Sequence, residues 1–317
     1  MRNDLLNVLH CPFSGEDFEL IVLKPETETN GLVIAQSVSE GLLKTHSGYT
    51  YPIINCIPRI IEGAMSIYAK SLTRYAEQIK KLQIHPVSYQ MSDDFRRFFL
   101  PTLNRFHKEW KEHNTRQKTW GLEQDERLKK YLEYMGLEKA DFSDKLFLDL
   151  GAGTGQLTCT LADSLNCNII GVDIAPSIEK GEYLRKSSKK AGKTSFIQAN
   201  LMALPFKPGV FDFIHASGVL HHTPDTYKAL SNIEHYCKPG GKLGVWIYRK
   251  TERNIPLIPF VKNKFFMISE PRARKLTTKM NPSVLYALVL GHTAFFHFFY
   301  KLNQLIKGVK HKQTIRE

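Results

Sequence analysis

Short apolar runs alternate with stretches of helical spacing between residues 141 and 250. KLFLDL, NIIGVDI, TSFIQA, FDFIHAS and GKLGVWIY have the length and the β-branched and aromatic content of five strands, and helix-length segments lie between four of them. This alternation predicts an α/β domain built on a doubly wound, mainly parallel sheet. Upstream the pattern changes twice. Residues 1–64 are rich in turns, Cys11-Pro12, Ser14-Gly15, Asn30-Gly31 and Ser47-Gly48, and end in YPIINCIPRII, which predicts a small β domain of short strands. Residues 65–140 carry helical spacing with many charges, in SIYAKSLTRYAEQIKKL and in DERLKKYLEYMGL, where Gly136 suits a C-cap. The expected organisation is therefore four segments: 1–64, a helical linker and lid over 65–140, the α/β domain over 141–250, and a helical tail over 251–317.

The tail contains the most apolar run of the chain, KMNPSVLYALVLGHTAFFHFFYKLNQLIKGVK. Asn281 suits the N-cap, Pro282 the first turn and Gly308 the end of a helix of about 26 residues, roughly 39 Å long at 1.5 Å per residue. Thr293, His297, Lys301, Gln304 and Lys307 form a polar stripe along its second half, while the first half is apolar all round. Three placements fit: packing on the α/β domain or a second subunit, an interfacial position of residues 282–307 on anionic lipid, and a transmembrane span interrupted by Gly291, His292, Thr293 and His297.

Charge sharpens this division. The 317 residues include 44 Lys plus Arg against 31 Asp plus Glu, a formal net charge of +13. Residues 249–317 hold 14 of the basic and 3 of the acidic residues, net +11, which leaves residues 1–248 at +2. Attraction to an acidic partner thus belongs to the tail, which points to a membrane surface or another protein before a nucleic acid. A hydrophobic fraction of 42% excludes intrinsic disorder, and the length suits two domains, or one large domain with an appendage. Cys11, Cys56, Cys159, Cys167 and Cys237 are odd in number and show no Cys-x-x-Cys spacing, so neither a disulfide framework nor a thiolate zinc site is expected. MRNDLLNVLH lacks the apolar core of a secretory signal; a reduced cytoplasmic protein is expected, peripheral at the inner face of a membrane where the tail meets lipid.

Candidate chemistry gathers at the strand ends. LFLDL runs directly into GAGTGQLTCTLADSL, which places Gly151, Gly153 and Gly155 in the turn before a helix whose first N–H groups are free to donate. The sixth position of a dinucleotide fingerprint calls for glycine and here is Gln156, so a nicotinamide or flavin dinucleotide is disfavoured. Asp149, two residues before the first glycine, can accept a hydrogen bond from an ammonium group or a water. Asp173 ends the second strand, where a carboxylate can accept from both hydroxyls of a ribose, and Asn200 follows the third, where an amide could read an adenine edge. Ribose, adenine and an amino-acid head group together make S-adenosylmethionine.

LFLDLGAGTGQLT, GVDIAPS, QANLMALPF, FDFIHASGVLHHTPD and KPGGKLGVWIY, in that order within residues 105–250, resemble the class I S-adenosylmethionine-dependent methyltransferases, specifically the type 11 group. The resemblance implies a Rossmann-like sheet with the cofactor across the strand tips. Its methionine end would lie over Gly151 to Gly155, its ribose on Asp173 and its adenine near Asn200 and Leu201, with Asp149, Ala152, Ile174 and Ser217 among the cofactor-binding residues. Asn200 stands where the family commonly has an acid, and an amide can still bond the adenine. The family sheet has seven strands, the last two an antiparallel pair at one edge; five are visible here, and only HKQTIRE is left to start a sixth. Either the chain is shorter than its relatives, or the C-terminal helices cover the exposed edge. CPFSGEDFEL and YPIINCIPRII resemble the zinc-ribbon-like domain found beside such methyltransferases and in small activator subunits of transfer-RNA methyltransferases. Of its Cys-x-x-Cys pairs only Cys11 survives, and the second knuckle reads THSGY, so no metal is expected.

Methyl transfer from a sulfonium is an in-line displacement, for which positioning supplies about 7–11 kcal/mol. A general base adds about 10²–10⁴-fold where the acceptor must lose a proton. His221 and His222, in SGVLHHTPD after the fourth strand, are the candidates for that base; the other reading is that both hold the loop or stack near the cofactor. Trp110 and Trp120 lie on a segment that covers the cofactor in similar proteins, where an aromatic face would attract a sulfonium, and each suits core packing equally well. Asp212 begins the fourth strand, away from the tips, and reads as structural. The expected function is methyl transfer to a small-molecule or lipid-linked acceptor. Two alternatives stand beside it: a catalytically inactive module that kept the fold, and an RNA methyltransferase, against which the absence of an Asn-Pro-Pro-Tyr-type motif after the fourth strand argues.

Overall fold

The computed structural model describes residues 1–27, 33–82, 91–112, 124–135, 137, 142, 145–188, 193–247, 281, 284, 287, 290 and 291. Strands form where the apolar runs lie. In the unit Met1–Tyr248, β1 (Glu19–Thr27), β2 (Val33–Lys44), β3 (Thr50–Ile54) and β4 (Ile57–Ile60) arise from the N-terminal segment. The five runs expected downstream become β5 (Leu146–Leu150), β6 (Asn168–Asp173), β7 (Thr194–Ala199), β8 (Phe211–Ser217) and β9 (Cys237–Trp246). Helices α1 (Ala64–Ile67), α2 (Ala69–Leu72), α3 (Ala76–Lys81), α4 (Leu100–Glu112) and α5 (Gln124–Met135) precede β5. The crossovers are α6 (Gln156–Leu165) from β5 to β6, α7 (Glu179–Ser187) from β6 to β7, and α8 (Thr226–Glu234) from β8 to β9. Asp225 caps α8 by accepting a hydrogen bond from Lys228 N at 2.9 Å, the arrangement that an aspartate before a helix favours.

All nine strands join in one sheet of order β1-β2-β3-β4-β7-β6-β5-β8-β9. Pairing is antiparallel from β1 to β4 and parallel from β4 to β9. The doubly wound expectation thus holds for β5 to β9, and among the described residues no strand follows β9. Register explains how both faces are filled. Phe147 lies opposite Ile169 and Phe213, and its neighbour Leu148 opposite Ile170 and Ile214. Successive side chains point to opposite faces, so the first set packs with Phe142, Leu161 and Leu165, and the second with Ala229 and Ile233. The Phe147 and Phe213 rings stack at 4.7 Å, with Phe142 at 5.4 Å from each. Near-continuous apolar strands suit a parallel sheet covered on both sides.

The N-terminal strands do not form a sheet of their own. Asn55 and Cys56 both take positive φ, 53° and 65°, in the two-residue turn that reverses β3 into β4, and Ile54 pairs with Ile57 across it. β4 then runs beside β7, with Arg59 opposite Gln198 and Ile60 opposite Ala199. The sheet therefore crosses the boundary expected near residue 64. The turns likened to zinc knuckles are tied by polar groups: Glu16 accepts from the Ser47 hydroxyl and from Ser47 N at 3.3 Å, and hydrogen bonding, from the Ser47 hydroxyl above all, holds its carboxyl down at about 2. Cys11 is buried with its Sγ 3.9 Å from the Tyr51 hydroxyl.

The unit Arg249–Glu317 is described at Asn281, Val284, Ala287, Leu290 and Gly291, of which the last four are helical and all are exposed. The expected stripe from Thr293 to Lys307, Pro282, Gly308 and HKQTIRE lie outside the described residues, as do Gly136 and Trp120. Among the described residues no helix is long and apolar enough to cross a membrane.

Candidate functional site

Strand order reverses at β5, with β6 and β7 to one side and β8 and β9 to the other. Such a switch point opens a crevice beyond the carboxyl ends of the strands. Three loops converge there. After β5, Gly151, Gly153 and Gly155 all take positive φ, at 75°, 57° and 70°. The N–H groups of Gly151 and Ala152 donate to the Val172 carbonyl at 2.8 and 3.0 Å, which folds the loop over the end of β6. The close approach expected toward a ligand is, at two of these glycines, an approach to the protein itself. A Cβ on Gly151 would lie 2.7 Å from Val219 Cγ2, and one on Gly155 would lie 2.5 Å from Gly181 Cα and 2.6 Å from the Phe196 ring.

Asp173 ties the second loop to the first. Its Oδ2 accepts from Gly153 N and its Oδ1 from Ala175 N, each at 2.8 Å. Burial pushes its carboxyl up to about 6, against the pull of those two N–H groups and with a further push from Asp149. Ile174 is half-buried against the core, and its carbonyl accepts from Gln198 Nε2 at 2.8 Å. After β7, Asn200 is buried, and its Oδ1 accepts from Met202 N at 3.0 Å, which leaves the amide nitrogen as its donor; Leu201 is half-buried beside it.

Asp149 meets protein groups from two neighbouring elements. It is 3% exposed, its Oδ2 accepts from Thr158 Oγ1 at 2.6 Å, and its Oδ1 lies 3.1 Å from His215 Nδ1. Each oxygen therefore meets one protein group, and the residue ties α6 and β8 to β5. Tyr131 of α5 sits edge-on to His215 at 4.8 Å, and neither its hydroxyl nor His215 Nε2 has a hydrogen-bond partner among the described residues. Thr158→Val keeps the shape and deletes the donor to a buried carboxylate; a loss of about 1–3 kcal/mol is expected in urea unfolding.

The third loop follows β8. Ser217 is exposed, and Gly218 N donates to the Trp246 carbonyl at 2.9 Å. His221 and His222 stand side by side with ring centroids 4.2 Å apart, and burial lowers the His221 pKa below its ordinary value. Helix α4 roofs this end of the sheet: buried Leu103 anchors it in the core, Phe106 meets the His222 ring at 5.0 Å, and the helix packs on the Pro176–Ile178 turn after β6. The backbone of Trp110 lies on this helix, and its side chain is outside the described residues. Asp212 sits at the other end of β8, where it accepts from Leu146 N at 3.0 Å and Lys238 Nζ at 2.8 Å. The structure thus gathers Gly151, Ala152, Gly153, Gly155, Asp173, Ile174, Asn200, Leu201, Ser217, His221 and His222 at one edge of the sheet, and it adds Gln198, which sequence reasoning passed over because it lies inside an apolar strand.

This is a Rossmann-like α/β fold with its loops gathered beyond the carboxyl ends of the parallel strands. Residues 148–245 match the family described as methyltransferase domain. The O-methyltransferase resE of Aspergillus sclerotiorum is 33% identical over 112 residues, which cover 35% of this chain and 42% of that protein. The demethylmenaquinone methyltransferase of Lactococcus lactis subsp. lactis is 32% identical over 127 residues, 39% of this chain and 48% of that protein. The chain spans less than half the length of either. Among solved structures, a Haemonchus contortus phosphoethanolamine N-methyltransferase complex overlaps 65% of this chain and 56% of its own at 18% identity, with a TM-score of 0.41.

Proposed function

We propose that the chain is an S-adenosylmethionine-dependent methyltransferase acting on a small-molecule or lipid-linked acceptor. The observation that carries this reading is the buried Asp173. Each of its oxygens holds one backbone donor from a different loop. A carboxylate offers about four acceptor sites, so one on each oxygen is left for a ribose hydroxyl. The Asn200 amide nitrogen can donate to an adenine ring nitrogen, and Gly151 to Gly155 with Ala152, Ile174, Leu201 and Ser217 lie at the same end of the parallel strands. The bound cofactor supplies an electrophilic methyl group. His221, whose pKa burial lowers below its ordinary value, is able to accept a proton from an acceptor hydroxyl or amine, and the neighbouring His222 meets Phe106 of α4. The relatives' names, an O-methyltransferase and a demethylmenaquinone methyltransferase, support a small or lipid-linked acceptor over RNA and favour an enzyme over an inactive module.

Calorimetry with S-adenosylmethionine and S-adenosylhomocysteine tests the reading: binding of both is expected, and binding of neither overturns it. His221→Asn is expected to lower turnover by about 10²–10⁴-fold while S-adenosylhomocysteine affinity stays as it was; unchanged turnover would return both histidines to a loop-holding role. Affinity also has a predicted pH dependence. Ribose hydroxyls donate to the ionised carboxylate, so binding releases a proton where Asp173 is protonated in the free protein, below about 6. Affinity is expected to be flat above pH 7, to halve near pH 6 and to approach a tenfold fall per pH unit at lower pH. The sign for stability is opposite: the folded carboxyl binds its proton more tightly than an ordinary aspartate, whose pKa is 3.8, so this group's contribution declines as pH rises from about 4 to about 6. For the tail, half-exposed Val284 and Leu290 within a segment of net charge +11 support a peripheral contact with anionic lipid. Flotation with anionic liposomes at low salt checks this, and no binding removes it.

A further inference from the structure

We infer that the N-terminal strands are part of the cofactor site, with Arg59 and Tyr68 acting as positioning residues through Gln198; the inference rests on the methyltransferase reading. Arg59 is fully buried where β4 joins β7, directly opposite Gln198. Its Nη1 donates to Gln198 Oε1 at 3.4 Å and to the Tyr68 hydroxyl at 3.3 Å, and its guanidinium lies over the Tyr68 ring, 4.9 Å from the centroid. The Tyr68 hydroxyl in turn donates to Gln198 Oε1 at 2.6 Å. Two donors from the N-terminal segment therefore converge on one amide oxygen.

That convergence decides which way the amide of Gln198 points. A glutamine amide has an oxygen that accepts and a nitrogen that donates, and rotating it by half a turn exchanges them. With Tyr68 and Arg59 on Oε1, the nitrogen must face the Ile174 carbonyl, where it donates at 2.8 Å. A rotated amide would set its nitrogen against two donors and its oxygen against a carbonyl, leaving buried groups unpaired. Ile174 follows Asp173, so this bond fixes the loop directly after the ribose-binding carboxylate. The same loop is held at its far end by Arg59 as well: Nη2 pairs with Glu179 Oε1 at 2.6 Å at the start of α7. Arg59, more than a hundred positions from the loop, thus holds one end directly and the other through Gln198.

Tyr68→Phe keeps the ring under Arg59 and removes one donor to Gln198; Gln198→Met keeps the volume and removes both sides of the relay. Calorimetry on the full chain with S-adenosylhomocysteine is expected to show affinity weakened about fivefold in Tyr68→Phe and about tenfold or more in Gln198→Met. The same factors are expected with 5′-methylthioadenosine, which keeps the adenosine half of the ligand and lacks the amino acid. Amide hydrogen exchange at residues 174–179 of the ligand-free protein should quicken in both variants. Variants that unfold at lower urea concentration yet bind both ligands as tightly as the unaltered protein would show these contacts to be merely structural and overturn the inference. Failure of the unaltered protein to bind either ligand would remove the cofactor reading and this inference with it.

Discussion

Asp173→Asn is expected to weaken S-adenosylhomocysteine binding by roughly thirtyfold or more while leaving the ligand-free protein folded. The two effects separate because the carboxylate stands in different positions toward them. Toward the ligand it accepts two hydroxyls while ionised, and hydrogen bonds to a charged group contribute about 1.5–3 kcal/mol each. Asparagine keeps one acceptor oxygen and no charge, so losing one bond outright and the charge assistance on the other amounts to about 2–5 kcal/mol, roughly thirtyfold or more in affinity. Toward the fold, burial already disfavours the ionised form, as the rise to about 6 shows, and asparagine carries no charge to desolvate. One of its two backbone donors, Gly153 N or Ala175 N, loses its acceptor in exchange. The net change in unfolding free energy is expected to stay within about 1 kcal/mol, since the two effects oppose each other. Calorimetry and urea unfolding on the same preparation read both quantities. Affinity within a few fold of the unaltered protein would remove Asp173 from the ribose.

Gly155→Ala is expected to have the largest effect on stability. The new Cβ would stand 2.5 Å from Gly181 Cα and 2.6 Å from Phe196 Cζ, and neither backbone nor a fully buried ring can move aside cheaply. Overpacking of this kind costs about 1–3 kcal/mol, and the left-handed φ of 70° adds about 1–2 kcal/mol for a residue with a side chain. A loss of about 2–5 kcal/mol is a large share of the 5–15 kcal/mol that holds a typical domain folded. Gly240 supplies the control, because it has a similar φ of 77° and a methyl group added there would meet nothing within 4 Å, so Gly240→Ala should show the backbone cost alone. Urea midpoints for the two variants check the prediction: equal shifts would mean that the contact with Gly181 and Phe196 does not constrain position 155.

The parts of the molecule legible in the chain were those whose cause is local. KLFLDL, NIIGVDI, TSFIQA, FDFIHAS and GKLGVWIY became five strands because a run of β-branched and aromatic residues bounded by turn formers is a strand in almost any context. The last of them starts earlier than its apolar run, at Cys237, with an irregular register between Phe211 and Phe213. Asp173 and Asn200 were legible as strand-tip residues for the same reason. The protein partners of Asp149 were not legible from its spacing, because Thr158 and His215 approach from α6 and β8, nine and 66 positions away. Gln198 was invisible: inside an apolar strand a glutamine looks like an interruption, and only its neighbours across the sheet give it a role.

By itself the sequence determined the doubly wound architecture, the glycine turn and the acidic strand tip, because hydrophobic period, turn chemistry and strand ends are set by residues adjacent along the chain. Only the tertiary structure decided that β4 joins β7, that Gly151 and Gly155 make room for Val219, Gly181 and Phe196, and that Arg59 and Tyr68 orient Gln198. Each of these is a meeting of distant segments in which a strand edge, a methyl-sized gap or an amide oxygen is matched by whatever the fold brings beside it. No periodicity along the chain encodes that match, since its energy arises from close packing and hydrogen bonding across the sheet.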